Sequence, residues 1–278
     1  MSFAEAVKRY RLQLLILLLF LAGLYHSIVP QMVLQWYHDD NYSHGFIVPF
    51  ISGYFLYTRR YELRGILVEP WWPGLLVLIL GLVQLTTGWL GTEYFTMRSS
   101  LVVILAGITL YFFGKGVFRI VLLPLSYFLF MVPLPYIVYD AAAFPLKLFV
   151  AKVSVGFLKA IGVVVWREGN IIMFPSITLE LADACSGIRS LMSLLALSVA
   201  YAFFSQRSSL KRCILILSAL PIAIFTNSLR VIVTGILAQY WGARAAEGFF
   251  HEVAGMVVFA LAMVMLVALG AVMRKTGD

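Results

Sequence analysis

Residues 141–165, AAAFPLKLFVAKVSVGFLKAIGVVV, decide how this chain is threaded. The stretch is helix-like and largely apolar, but Lys147, Lys152 and Lys159 interrupt it. Lysines repeated through an apolar helix favour one that lies on a membrane surface with its cations in water. On that reading eight other stretches cross the membrane: about 12–29, 44–58, 72–90, 99–114, 118–135, 187–205, 213–237 and 253–273. The second is short and interrupted by Pro49. Counting 141–165 as a ninth span would invert everything that follows it.

Composition supports a membrane location. The 278 residues are 62% hydrophobic and 12% charged, with a mean hydropathy of +0.94. Soluble domains carry about a quarter charged residues, and apolar runs of about 20 residues recur here. The formal charge of +8 does not point to nucleic acid, because the basic residues cluster between apolar runs, where they report topology. Membrane lipids are the expected surroundings. The first apolar run follows Lys8, Arg9 and Arg11 without a small-x-small cleavage site, so it reads as an uncleaved anchor.

Charge counting tests the threading. With eight spans and a cytoplasmic N-terminus, the inner side holds Lys8, Arg9, Arg11, Arg59, Arg60, Arg64, Lys115, Arg119, Arg207, Lys211, Arg212, Arg274 and Lys275. These are 13 of the 21 basic residues, the bias that the positive-inside rule requires. A ninth span at 141–165 would put the Arg207–Arg212 cluster outside. The expected architecture is therefore an all-α polytopic membrane protein, forming one domain over 1–278. A surface helix and a small β-hairpin precede the sixth span. The hairpin is read from the β-branched segment 163–181 with turn signals at Gly169-Asn170 and Pro175-Ser176.

Chemistry concentrates at Asp183-Ala184-Cys185-Ser186-Gly187-Ile188-Arg189-Ser190-Leu191, where a strand-like segment gives way to the sixth span. Asp183 suits an N-cap, and the first turn of a helix favours a thiolate at Cys185. Arg230 lies 18 residues beyond Arg212, about 27 Å along a helix, which returns it to the outer face. Asn227 shares its face, and His251 opens the eighth span from the outer side. Each residue also has a plain reading: a core cysteine, a snorkelling arginine, an interfacial histidine. Together they suit acyl transfer. A thiolate attacks a carbonyl, His251 moves protons, and a fixed cation stabilises developing negative charge. Arginine keeps its proton and cannot serve as the base. Arg189, one turn below Cys185, is a candidate for binding a substrate carboxylate. Cys213 reads as a small core residue, too far through the bilayer to pair with Cys185. The segment Trp36-Tyr37-His38-Asp39-Asp40-Asn41-Tyr42-Ser43-His44-Gly45-Phe46 could suggest a metal site, but an interfacial aromatic belt with turn residues fits it better. No cofactor or metal is required.

Five segments resemble the exosortases. Three match that family's signature stretches: Ala184-Cys185-Ser186-Gly187-Ile188-Arg189-Ser190, Asn227-Ser228-Leu229-Arg230 and Phe250-His251-Glu252. Asn41-Tyr42-Ser43-His44-Gly45-Phe46-Ile47-Val48-Pro49 and Val132-Pro133-Leu134-Pro135 look like its amino-terminal and mid-chain motifs. The resemblance implies a bacterial inner-membrane cysteine protease or transpeptidase facing the periplasm, with Cys185, Arg230 and His251 as its triad. It also implies PEP-CTERM-type substrates, which end in a Pro-Glu-Pro motif, one membrane helix and a basic tail, made in bacteria that produce extracellular polysaccharide. Arg189 or Lys159 is expected to read the motif's glutamate. The histidine favours the bacterial branch over the archaeosortases. Some exosortases carry an extra soluble C-terminal domain; here such a periplasmic accessory protein is expected to be separate. The competing expectations are a transporter or channel whose Arg230 and His251 line a polar path, or a non-catalytic partner in polysaccharide export.

Overall fold

The computed structural model describes residues 1–175, 178–180, 188–241 and 249–275, with side chains described there except at 179–180, 188–189, 238, 240–241 and 249–252. By internal contacts the chain divides into two compact units, Met1–Pro135 and Tyr136–Asp278.

The first unit holds α1 (Phe3–Arg9), α2 (Arg11–Tyr25), α3 (Ile28–His38), a 3-10 helix (Asp40–Phe46), α4 (Val48–Thr58), α5 (Arg60–Gly65), α6 (Gly74–Leu90) and α7 (Tyr94–Tyr127). A capping box starts α1: the Ser2 hydroxyl accepts from Glu5 N and the Glu5 carboxylate accepts from Ser2 N. Helices α2 and α3 form a bent pair, 58° apart. Pro49 does not interrupt a span as expected. It sits in the first turn of α4, where its missing N–H breaks no helical bond.

Helix α7 is long enough to be taken for one rod, yet it folds back on itself. Adjacent residues of α3 bond to its start and to the 3-10 turn, Phe128–Met131, that follows its end. Gln35 Oε1 accepts from Arg98 Nη1 at 2.6 Å, and Trp36 Nε1 donates to Met131 O at 2.8 Å. A straight helix would hold residues 98 and 131 about 50 Å apart. The reversal is at Gly114, with φ +79° and ψ −178°, a conformation essentially confined to glycine. The descending arm packs antiparallel on α6, with glycines at 74, 81 and 88 setting the approach. A Cβ on Gly81 would stand 2.7 Å from Ile104 Cγ1. The returning arm packs on α4. Pro124 cannot donate to Ile120 O, and Arg59 Nη1 supplies that bond at 3.1 Å. Pro124 O in turn accepts from Ser52 Oγ at 2.6 Å.

The Gly114 end of this unit collects its basic residues apart from Arg98. Lys115 lies over the Trp71 ring, Arg60 over Tyr57 and Tyr61, and Ala6, Leu63, Val68, Val117 and Ile120 form one buried cluster there. The opposite end carries exposed Tyr37, Trp89 and Tyr94. Between the two belts, α6 exposes Leu75, Leu76, Ile79, Leu80 and Val83, as a lipid-facing helix does.

The second unit holds α8 (Tyr136–Ala160), β1 (Trp166–Glu168), β2 (Ile171–Met173), β3 (Thr178–Glu180), α9 (Ile188–Ser205), α10 (Ser209–Leu217), α11 (Ala219–Trp241) and α12 (Phe249–Lys275). Instead of a two-stranded hairpin there is a three-stranded antiparallel meander, in the order β1-β2-β3. Gly169, with φ +59°, opens the two-residue loop between β1 and β2, where a type II′ turn takes glycine. The sheet is anchored by Ile172 and Phe174, which pack with Val150, Ala151, Val155 and Leu158 of α8 and Val231 of α11. A second core joins α9, α10, α11 and α12 through Leu194, Ala202, Leu215, Ala219, Ala262 and Leu266.

Among the described residues four helices are long and apolar enough to cross a membrane: Tyr94–Met131, Tyr136–Ala160, Ser209–Leu237 and Val253–Lys275. The bent pair makes a fifth. The protein is thus a multi-pass, overwhelmingly helical membrane protein. Tyr136–Ala160, expected on the surface, is by length and composition a candidate span; its lysines are too widely spaced to shorten its apolar run. Cys213 is also corrected: it lies exposed on α10 rather than in the core.

Candidate active site

The candidate site is built on α11. Thr226, Asn227 and Ser228 are buried polar residues in an otherwise apolar helix, with Asn227 3% exposed. Thr226 satisfies itself on its own helix, donating from Oγ1 to Ile222 O at 2.9 Å. Ser228 O accepts from Ser154 Oγ of α8 at 3.4 Å, tying the two helices together at this level. Ser154 carries no signal in the sequence, because an isolated serine in an apolar helix has no periodic pattern.

One turn after Asn227, the Arg230 guanidinium lies against α12. A Cβ added to Gly255 would meet Arg230 Nη2 at 3.5 Å and Cζ at 3.8 Å, ordinary van der Waals contact. His251 belongs to α12 four residues before Gly255, and residues four apart share a helix face. The backbone therefore sets His251 and the Arg230 contact on one face of α12, a turn apart. The His251 side chain lies outside the described residues.

The meander reaches the same region. Phe174, just after β2, stacks its ring against Gly235 of α11, where a Cβ would come within 2.5 Å of Phe174 Cζ. Leu158 and Val231 share the cluster that holds the sheet. Lys159, next to Leu158, is exposed and its ammonium sits 5.3 Å from the Trp166 ring centroid on β1, a cation–π contact at the sheet's edge. Cys185 and its proposed cap Asp183 fall in 181–187, outside the described residues, between β3 and α9. Arg189 lies in the first turn of α9, with its side chain outside them. The structure thus brings Asn227, Arg230 and the face of His251 together.

The amino-terminal motif forms a different assembly. Trp36 and Tyr42 are 6% and 4% exposed and form a buried latch, while Tyr37 and Phe46 of the same segment stay exposed, as the expected belt requires. Trp36 Nε1 bonds Met131 O, Tyr42 Oη donates to Leu134 O at 3.3 Å, and His44 Nε2 is 3.0 Å from Phe130 O. Gly45 lets the indole lie flat, since a Cβ there would come 2.6 Å from Trp36 Cε2. Burial pushes the His44 imidazole below its ordinary value, against the opposing bonds from the Phe130 and Asn41 backbones. The Asn41–Pro49 and Val132–Pro135 segments, with 82 residues between them in the chain, are thus two halves of one joint. Among the described residues no group of three or more His, Cys, Asp or Glu could hold a metal ion.

No curated protein and no solved structure matches this chain. A family model does: the one described as "Transmembrane exosortase (Exosortase_EpsH)" matches residues 36–268, from the Trp36 latch into α12. With that match running through the latch, the meander and the Arg230 helix, this chain belongs to the transmembrane exosortase family.

Proposed function

We propose that the protein is a cysteine protease or transpeptidase of the bacterial inner membrane, cleaving the C-terminal PEP-type sorting signal of exported proteins at its periplasmic face. The observation that carries this reading is the Arg230 guanidinium seated on Gly255, one turn from His251 on the same face. The chain around the nucleophile is consistent with it. Cys185 lies three positions before Ile188, a reach of about 11 Å at most, and the meander that precedes it docks on α11 at Gly235.

The Cys185 thiolate attacks the scissile carbonyl and forms a tetrahedral intermediate whose negative oxygen Arg230 stabilises. His251 protonates the leaving amine as the C–N bond breaks, leaving a thioester on Cys185. It then takes a proton from the water or amine that releases the product. Arg189, Asn227 and Lys159 bind the motif, with one of the two cations on its glutamate. A substrate with a single membrane helix delivers its scissile bond at a fixed depth. In the topology that goes with this reading, eight spans place the Gly114 end of the first unit and the Arg212 end of α10 in the cytoplasm.

Co-expression with a tagged Pro-Glu-Pro substrate tests the proposal, using Cys185→Ala, Arg230→Ala and His251→Ala matched for membrane abundance. The wild type is expected to shorten the substrate and each variant to fail. Mass analysis of the new C-terminus separates hydrolysis from transfer. Equal processing by Cys185→Ala would make the thiol structural and favour a transport or assembly role.

A further inference from the structure

Arg98 has no part in the proposed chemistry, yet it is the most unusual charge in the first unit. It is 7% exposed, in the second turn of α7. Nη1 donates to Gln35 Oε1 at 2.6 Å, the guanidinium lies 5.4 Å from the Tyr94 ring centroid, and Nε is buried without a partner among the described residues. No carboxylate forms an ion pair with it among those residues. The Glu93 carboxylate lies in its field but is committed to the helix cap, accepting from Phe95 N at 3.1 Å and Thr96 N at 2.6 Å. A buried cation left with one neutral acceptor is costly, and an anion would remove that cost.

At the same end of the unit runs an apolar groove of about 290 Å³, lined by Gly23, Leu24, Ile28, Leu85, Thr86 and Trp89. Packed turns of α6 and α7 lie between the groove and Arg98. Gln84 Nε2 donates to Ser99 Oγ at 2.9 Å, and Leu85 and Met97 share one core cluster. On α3, Ile28 lies seven residues before Gln35, about 10 Å along the helix and on the same side. Gly23 leaves the groove open, with nothing within 4 Å of a Cβ built there. The belt formed by Tyr37, Trp89 and Tyr94 marks this end as the depth of lipid headgroups.

We propose that this end of the first unit holds a phospholipid, with its headgroup phosphate on Arg98 and an acyl chain in the groove beside Gly23. Arginine suits a phosphate, offering a planar fork of donors that stays charged. The apolar groove, which a free anion or a peptide carboxylate would not use, selects the lipid. The inference stands apart from the cysteine chemistry.

The test is native mass spectrometry of the full chain in detergent, titrated with phosphatidylglycerol and, separately, with uncharged diacylglycerol. Wild type is expected to retain phosphatidylglycerol through detergent washing and to bind diacylglycerol weakly. Arg98→Gln should lower the apparent affinity for phosphatidylglycerol about tenfold or more, the loss of a charge-assisted bond. Arg98→Lys should keep most of it, while Gly23→Leu, which fills the groove without touching the cation, should lower it with the charge intact. Equal retention by wild type and Arg98→Gln would overturn the proposal. So would unchanged binding in Gly23→Leu, which decides the matter if Arg98→Gln fails to accumulate. Displacement by inorganic phosphate as effectively as by lipid would reassign Arg98 to a free anion. Displacement by a Pro-Glu-Pro peptide would reassign it to substrate.

Discussion

At the scale of single residues, the candidate site depends on how closely α11 and α12 approach at Gly255. The space there is enough for one carbon but no more, since a Cβ would sit 3.5 Å from Arg230 Nη2. Gly255→Ala is expected to leave substrate processing within about threefold of wild type. Gly255→Leu should push the guanidinium aside and cost about 10²-fold, comparable to removing one oxyanion-stabilising donor. Quantitative blotting of substrate and product in the co-expression strain reads both. Arg189→Gln and Lys159→Gln address the glutamate separately. If one of them binds it, that variant alone should slow processing of the Pro-Glu-Pro substrate, and by less for a Pro-Gln-Pro version. Lys159 already has a partner in the Trp166 ring, so its loss should also loosen the edge of β1.

Two elements hold the first unit in shape, and each is open to a specific perturbation. The hairpin of α7 turns on Gly114, where any side chain meets both a glycine-only backbone and the Glu69 carbonyl. Gly114→Ala is expected to cost at least about 3 kcal/mol, seen as a lower melting temperature in detergent and reduced membrane accumulation. The latch carries a pH dependence through His44. Its folded imidazole is held below the ordinary 6.5 by burial, so the unfolded latch takes the proton first as pH falls. Stability present above pH 6.5 is therefore lost as pH drops through the folded value. The melting temperature of wild type should decline between about pH 7 and about pH 5 more steeply than that of His44→Gln.

For the whole molecule, the decisive quantity is topology. Within the first unit the basic residues around Gly114 gather at one end and the Tyr37, Trp89 and Tyr94 belt at the other. In the second, Lys211 Nζ bonds Met273 O at 2.9 Å and Gln206 Nε2 bonds Gly270 O at 2.8 Å, so the Arg207–Arg212 and Arg274–Lys275 clusters share an end. The eight-span proposal puts both basic ends in the cytoplasm. Alkaline phosphatase fused after Arg119 or Arg212 should be inactive, and fused after Thr92 or Trp241 it should be active. An active fusion after Arg212 would mean that Tyr136–Ala160 crosses the membrane and that the thiol faces the cytoplasm.

The sequence by itself determined the membrane class, the limits of α9 and, to within four residues, those of α12, because apolar run length and charge placement are local properties that a bilayer reads directly. Only the tertiary structure decided that Trp36 and Tyr42 are buried. Their donors reach carbonyls about 90 residues away, at Met131 and Leu134, and no local pattern encodes such a partner. The third strand was missed for a related reason: three-residue strands exist through pairing, and Thr178–Glu180 offers too little alternation to be read alone. The Gly114 reversal was visible only as a boundary between two apolar stretches; the bonds from Gln35 to the start of α7 and from Trp36 to the turn after its end made it a hairpin. Counting residues places Arg230 near a helix end, yet α11 continues eleven residues past it to Trp241. That it rests on Gly255 depends on two helices meeting at a residue with no side chain, a choice made by packing and not by the local sequence.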